Sequence, residues 1–121
     1  MNPKPISPKR HGLIDYAFTA ALLFMPGLLG FNKKAKSLYT GFGTGLLAYN
    51  ALTDHPVSLK RVITYDGHYK LDCVNVATIA LATGYKAVRK ERKVFAFHVI
   101  LLTFATLNVA FTDWEADTYA K

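Results

Sequence analysis

Four uncharged, largely apolar stretches divide this chain: residues 16–32, 37–53, 73–85 and 94–112, which are 17, 17, 13 and 19 residues long. A helix crosses the hydrocarbon core of a bilayer with about 20 mainly apolar residues, within a range of roughly 17 to 25. The first, second and fourth stretches meet that length as they stand. The third meets it once Leu71 and Asp72 join its first turn and Lys86 snorkels outward from its end. A bundle in water would place charged residues on the outward face of every turn, and the second and fourth stretches carry none. The pattern predicts an all-α protein of four transmembrane helices.

The pattern is also written twice. His11-Gly12-Leu13-Ile14-Asp15 returns 57 residues later as His68-Tyr69-Lys70-Leu71-Asp72, and each copy opens an apolar run. Each half closes alike, in Leu52-Thr53-Asp54 and in Phe111-Thr112-Asp113. Residues 1–121 therefore read as a single four-helix membrane domain made of two pseudo-repeated helical hairpins. Repeat 1 covers about 11–54, a linker about 55–67, and repeat 2 about 68–113.

Inside the second helix, Gly41, Gly45 and Ala48 share a face, the Gly-x-x-x-Gly pattern that lets two membrane helices approach closely. Its partner is another helix of the chain or a second copy. Pro26 and Gly27 mark a kink or stop in the first helix, with Gly84 as the repeat equivalent of Gly27. Tyr16, Tyr39, Tyr49, Tyr65, Tyr69, Tyr85, Trp114 and Tyr119 fall mostly near predicted helix ends, as an aromatic belt would.

Charge changes the picture by sorting the loops. The chain carries 15 Lys and Arg against 8 Asp and Glu, a net +7, with 51% of its residues hydrophobic. Eight of the 15 basic residues, Lys33, Lys34, Lys36, Lys86, Arg89, Lys90, Arg92 and Lys93, fall in two turns on one side. The positive-inside rule places those turns in the cytoplasm and both termini outside. The same charge attracts anionic headgroups. Nucleic acid is not an expected partner, because the basic residues do not interleave with aromatics on one surface. Residues 1–10 are basic and proline-rich but precede no small-residue cleavage site, so they lead into a retained helix. Cys73 is the one cysteine, which excludes an internal disulfide and a cysteine zinc site.

Candidate chemistry gathers at the other end. His11 and Asp15 lie four apart on one helical face, His68 and Asp72 repeat this, and Asp54 and Asp113 stand at the exits of the second and fourth helices. Carboxylates are favoured at a helix N-terminus and disfavoured at a C-terminus. Asp54 and Asp113 thus need donors, for which His11, His68, Lys60, Arg61 and Lys70 are placed. Two readings stay open: a structural clamp on the hairpin ends, or a site for a divalent metal or for protons. His98 stands alone in the fourth helix, either an axial haem ligand or a neutral imidazole bonded to Thr103, Asn75 or a backbone carbonyl. No phosphate loop, Ser-His-Asp spacing or nucleophile elbow is present. The chain is expected not to be an enzyme, and no cofactor is predicted.

Leu52-Thr53-Asp54, Leu59-Lys60-Arg61-Val62-Ile63 and His68-x-x-Leu71-Asp72 resemble the centre of the SPW-repeat membrane proteins, small bacterial proteins of two repeats with two membrane helices each. Where that family has Ser-Pro-Trp, this chain has Met25-Pro26-Gly27 and Ala82-Thr83-Gly84. The resemblance runs from His11 to Asp113 and implies a bacterial inner-membrane location with no established activity. The expected role is a structural or accessory subunit that self-associates or packs in a larger membrane complex. The alternative is an ion-, proton- or metal-handling protein using His11, Asp15, Asp54, His68, Asp72 and Asp113.

Overall fold

The computed structural model describes residues 4–119 and is all-helical: α1 (Pro8–Leu28), α2 (Lys33–Ala51), α3 (Tyr65–Ala82), a short α4 (Lys86–Arg89) and α5 (Arg92–Phe111). The first three residues of the N-terminal basic stretch lie outside this range. Side-chain oxygens start the three long helices that follow loops: Ser7 accepts from Arg10 N, Asn32 from Ala35 N and Thr64 from Gly67 N. Pro26 does not stop α1. The helix runs two residues further and closes through Phe31 N to Pro26 O and Gly30 N to Gly27 O. Gly30 takes φ +68° there, a conformation that suits glycine.

The expectation of four transmembrane helices is corrected. Among the described helices, only α5 is long and apolar enough to cross a membrane. An absence of charge is not the same as apolarity. The helices start earlier than the uncharged stretches and so take in Lys9, Arg10, His11 and Asp15 in α1, Lys33, Lys34 and Lys36 in α2, and Asp66, His68, Lys70 and Asp72 in α3. The uncharged remainder of α2 is rich in Gly, Thr, Tyr and Asn, which add little hydropathy. The basic turn after α3 folds into α4, so the bundle has five helices rather than four.

The internal repeat appears as a closed circuit of backbone hydrogen bonds. Ile63 N donates to Leu52 O and Asp54 N to Ile63 O, which sews the end of α2 to the start of α3. Ile6 N donates to Phe111 O and Asp113 N to Ile6 O, which sews the end of α5 to the start of α1. The two bridges, Thr53 with Ile63 and Thr112 with Ile6, lie at equivalent places of the two halves. The N-terminal segment, the central linker and the exit of α5 thus share one end. At the opposite end the two basic turns meet: Asn32 Nδ2 bonds Glu91 Oε1 at 2.6 Å and Ala87 O at 3.0 Å, and Lys93 Nζ bonds Gly30 O at 3.1 Å.

The apolar core lies between these ends, built from Leu22, Phe31, Ala35, Tyr39, Leu46, Ile79, Val88, Val94 and Leu101. The α1–α2 approach runs through Gly43, where an added Cβ would lie 2.9 Å from Leu23 Cδ2 and 3.0 Å from Leu22 Cβ. Gly41 and Gly45 have nothing within 4 Å of that position, and Ala48 is exposed beside them. The Gly41–Gly45–Ala48 face therefore packs against no helix of this chain among the described residues. Nor do all the tyrosines form a belt, since Tyr39 and Tyr65 are buried.

Candidate metal centre

Four side chains from α1 and α3 converge at the sewn end. His11 and Asp15 project from one face of α1, His68 and Asp72 from the equivalent face of α3, and all four are at most 4% exposed. His11 Nε2 lies 2.8 Å from Asp72 Oδ2 and 3.1 Å from Asp15 Oδ2. His68 Nε2 lies 2.9 Å from Asp15 Oδ2 and 3.3 Å from Asp72 Oδ2. Nitrogen and oxygen alternate around a closed ring in which every ligand atom is within 4.8 Å of every other. The shorter contact of each histidine crosses between the repeats.

Threonines at the helix ends fix the imidazoles. Thr53 Oγ1 donates its one proton to Tyr49 O at 2.5 Å, so at 2.8 Å from His68 Nδ1 it accepts. Thr112 Oγ1 likewise donates to Asn108 O and accepts from His11 Nδ1 at 2.7 Å. Both rings carry their proton on Nδ1 and turn Nε2 toward the two carboxylates. The outer carboxylate oxygens are also held: Tyr49 OH donates to Asp72 Oδ1 at 2.6 Å and Asn108 Nδ2 to Asp15 Oδ1 at 3.1 Å. Tyr49 and Asn108 occupy equivalent places, four residues before Thr53 and Thr112.

A centre built this way has two electrically neutral fillings. Two imidazolium rings between two carboxylates sum to zero. So do two neutral imidazoles, two carboxylates and one divalent cation. What the site cannot hold stably is neither, because two Nε2 lone pairs would then face two carboxylates in a buried space. Burial disfavours the imidazolium form of His11, but hydrogen bonds and charge from Asp15 and Asp72 outweigh it and push the group up to about 9. His68 is raised by the same balance. Burial acts to raise Asp72, and the two histidines override it and hold the carboxyl well below its usual range. Tyr49 is raised by burial and by Asp72, so it stays a hydrogen-bond donor.

A small cavity of about 20 Å³ adjoins Asp15, Asp72 and Asn108, enough for one water. Asn108 Oδ1, buried, has no protein partner beside it. From the other side Trp114 covers the site, its ring centroid 4.7 Å from that of His11 and 5.0 Å from that of Tyr65.

The other residues proposed from sequence lie apart. Asp54 is half-exposed, 3.8 Å from Arg61 and bonded by Tyr119 OH. Asp113 accepts from Glu115 N at 3.2 Å, and Lys70 pairs with Asp66 instead. Both aspartates end helices whose last carbonyls bond backbone amides, so neither is drawn into the core. His98 is buried with both nitrogens in use: Nε2–H donates to Ile79 O at 2.8 Å and Nδ1 accepts from Tyr39 OH at 2.7 Å. That leaves no lone pair for a haem iron. Sequence reasoning passed over Thr53 and Thr112 as ligand-orienting groups, although their shared position in the repeat was a usable signal. It also missed His55, buried with Nε2 on Asn50 Oδ1 at 2.9 Å and Nδ1 accepting from Val57 N at 3.2 Å. Burial, with His68 nearby, pushes His55 down, so it is a neutral packing group.

No family model, curated protein or solved structure matches the chain.

Proposed function

We propose that this protein holds one divalent first-row transition metal ion, of the zinc class, at the His11, Asp15, His68 and Asp72 centre. The observation that carries the reading is the pair of threonine hydroxyls that commit both Nδ1 protons outward and leave both Nε2 atoms converging with two carboxylate oxygens. Imidazole and carboxylate together suit zinc and its neighbours. Donors at about 2.0 to 2.2 Å from a tetrahedral ion stand roughly 3.3 Å apart, so the four nitrogen–oxygen contacts of 2.8 to 3.3 Å open by a few tenths of an ångström, while the two diagonals, no longer than 4.8 Å, close around the ion. Four protein ligands and full burial describe a closed site that ties the two repeats together, rather than an open catalytic one. The test is to strip the full chain with a chelator and titrate it with Zn²⁺ and Co²⁺. One ion per chain, with the strong visible bands of tetrahedral cobalt, is expected. A folded chain that takes up neither ion would leave the imidazolium–carboxylate clamp as the occupant.

A second reading is favoured by the outward surface. On α5, Val94, His98, Leu101 and Asn108 turn inward while Ile100, Phe104, Leu107 and Phe111 are exposed, and most of this apolar helix lies on the surface. Polar groups inside and apolar groups outside suit lipid better than water. On this reading the chain is a structural or accessory subunit of a membrane assembly, and recovery in the detergent-rich phase after cloud-point separation is the check. Recovery in the aqueous phase would count against it.

A further inference from the structure

A groove of about 700 Å³ lies at the basic end, far from the metal centre, with Lys33, Lys34, Leu38 and Phe42 of α2 on one wall and Thr78 and Leu81 of α3 on the other. That volume falls in the range of ligand pockets, roughly 300 to 1,000 Å³. Its floor is apolar and its mouth is cationic. The adjoining cleft adds Lys86 and Lys90, and the one carboxylate there, Glu91, is already bonded by Asn32. Among the described residues, none of these four lysines forms an ion pair within 4.0 Å, whereas Lys70 and Arg61 at the other end do.

We infer that this groove binds one anionic phospholipid, its phosphate on Lys33 and Lys34 and an acyl chain along Leu38, Phe42 and Leu81. Charge complementarity selects an anionic head. The groove wall selects a hydrocarbon chain over a peptide. An extended peptide would bring backbone donors and acceptors along its whole length that need partners, and below the lysines at the mouth the walls offer three hydroxyls, those of Ser37, Thr78 and Tyr85, of which Thr78 already donates to Val74 O. An acyl chain makes no such demand. Leu81 on the groove wall is itself 82% exposed, and on α1 Leu28 and Phe24 are exposed at the same end of the bundle, so apolar surface at this end is not confined to the groove. The inference does not depend on the metal centre.

The experiment is native mass spectrometry of the full chain in mild detergent, titrated with phosphatidylglycerol, phosphatidylcholine or glycerol phosphate. One phosphatidylglycerol per chain is expected, held at least about tenfold more tightly than phosphatidylcholine, with no retention of glycerol phosphate. Lys33→Ser with Lys34→Ser should remove that preference, and Lys60→Ser with Lys70→Ser at the far end should keep it. Thr78→Trp, which fills the groove, should lower retention of phosphatidylglycerol. Leu81→Gln, at an exposed position, replaces it should the tryptophan variant fail to fold. Equal retention of both lipids, retention of glycerol phosphate alone, indifference to the groove variants, or displacement by an acidic peptide would each overturn the assignment.

Discussion

Thr53 Oγ1 lies 2.8 Å from Nδ1 of His68, and because its only proton goes to Tyr49 O, it orients a ring fifteen residues away by accepting rather than donating. Thr53→Val keeps the shape and removes the acceptor, leaving a buried N–H without a partner. A loss of about 1 to 3 kcal/mol is expected in thermal or denaturant unfolding, with metal affinity falling about 10- to 100-fold as the ring loses its orienting partner. Thr53→Ser should restore both, and failure of that rescue would remove the hydroxyl from the explanation.

The same reasoning separates His98 from the centre. Tyr39→Phe deprives the buried Nδ1 of its donor, so a cost of about 1 to 3 kcal/mol is expected. Metal stoichiometry should not change. A Tyr39→Phe chain that unfolds as wild type does would show that water replaces the phenol. One that loses its metal would connect two sites that the structure keeps apart.

The repeat made much of this legible. His11, Asp15, His68 and Asp72 stand at helical spacing, and two equivalent helices related by the repeat were bound to bring them together. Asp54 and Asp113 misled because they sit in the sequence at the right end of the bundle. Whether a residue beyond the last helical turn points inward depends on the chain path after it, and here the bridges of Thr53 and Thr112 to Ile63 and Ile6 place the threonines inside and leave the aspartates outside. The span count differs for another reason: a run without charge is not thereby apolar, and spanning depends on hydropathy, which Gly, Thr, Tyr and Asn dilute in α2.

Helix packing in α2 is testable by moving one methyl group. A Cβ at position 43 would meet Leu22 Cβ at 3.0 Å, an atom next to the backbone that cannot swing aside. Gly43→Ala should cost about 1 to 3 kcal/mol through overpacking. Gly41→Ala and Gly45→Ala enter open space, so each should be neutral or gain up to about 1 kcal/mol from helix propensity. Denaturant midpoints of the three variants decide the matter. Destabilisation at positions 41 and 45 instead would reveal a partner on that face.

Acidity separates the two fillings of the centre. In the metal-free chain His11 is raised from 6.5 to about 9, so the folded state binds its proton more tightly than the unfolded state does. The stability this contributes, on the order of 3 kcal/mol, is fully present below pH 6.5 and is lost as pH climbs through 9. Asp72 is lowered, so its share is present above the ordinary carboxylate range and disappears in strong acid. Since one contact underlies both shifts, the two shares do not add. Unfolding of the stripped protein should be hardest between about pH 4 and 6.5 and easier on either side. A bound cation reverses the alkaline limb, because it must displace the Nε2 protons and so gains affinity as they leave. Denaturation midpoints measured from pH 5 to 9.5, with and without excess Zn²⁺, should therefore diverge as pH rises. Parallel curves would mean that protons alone occupy the ring formed by His11, Asp15, His68 and Asp72.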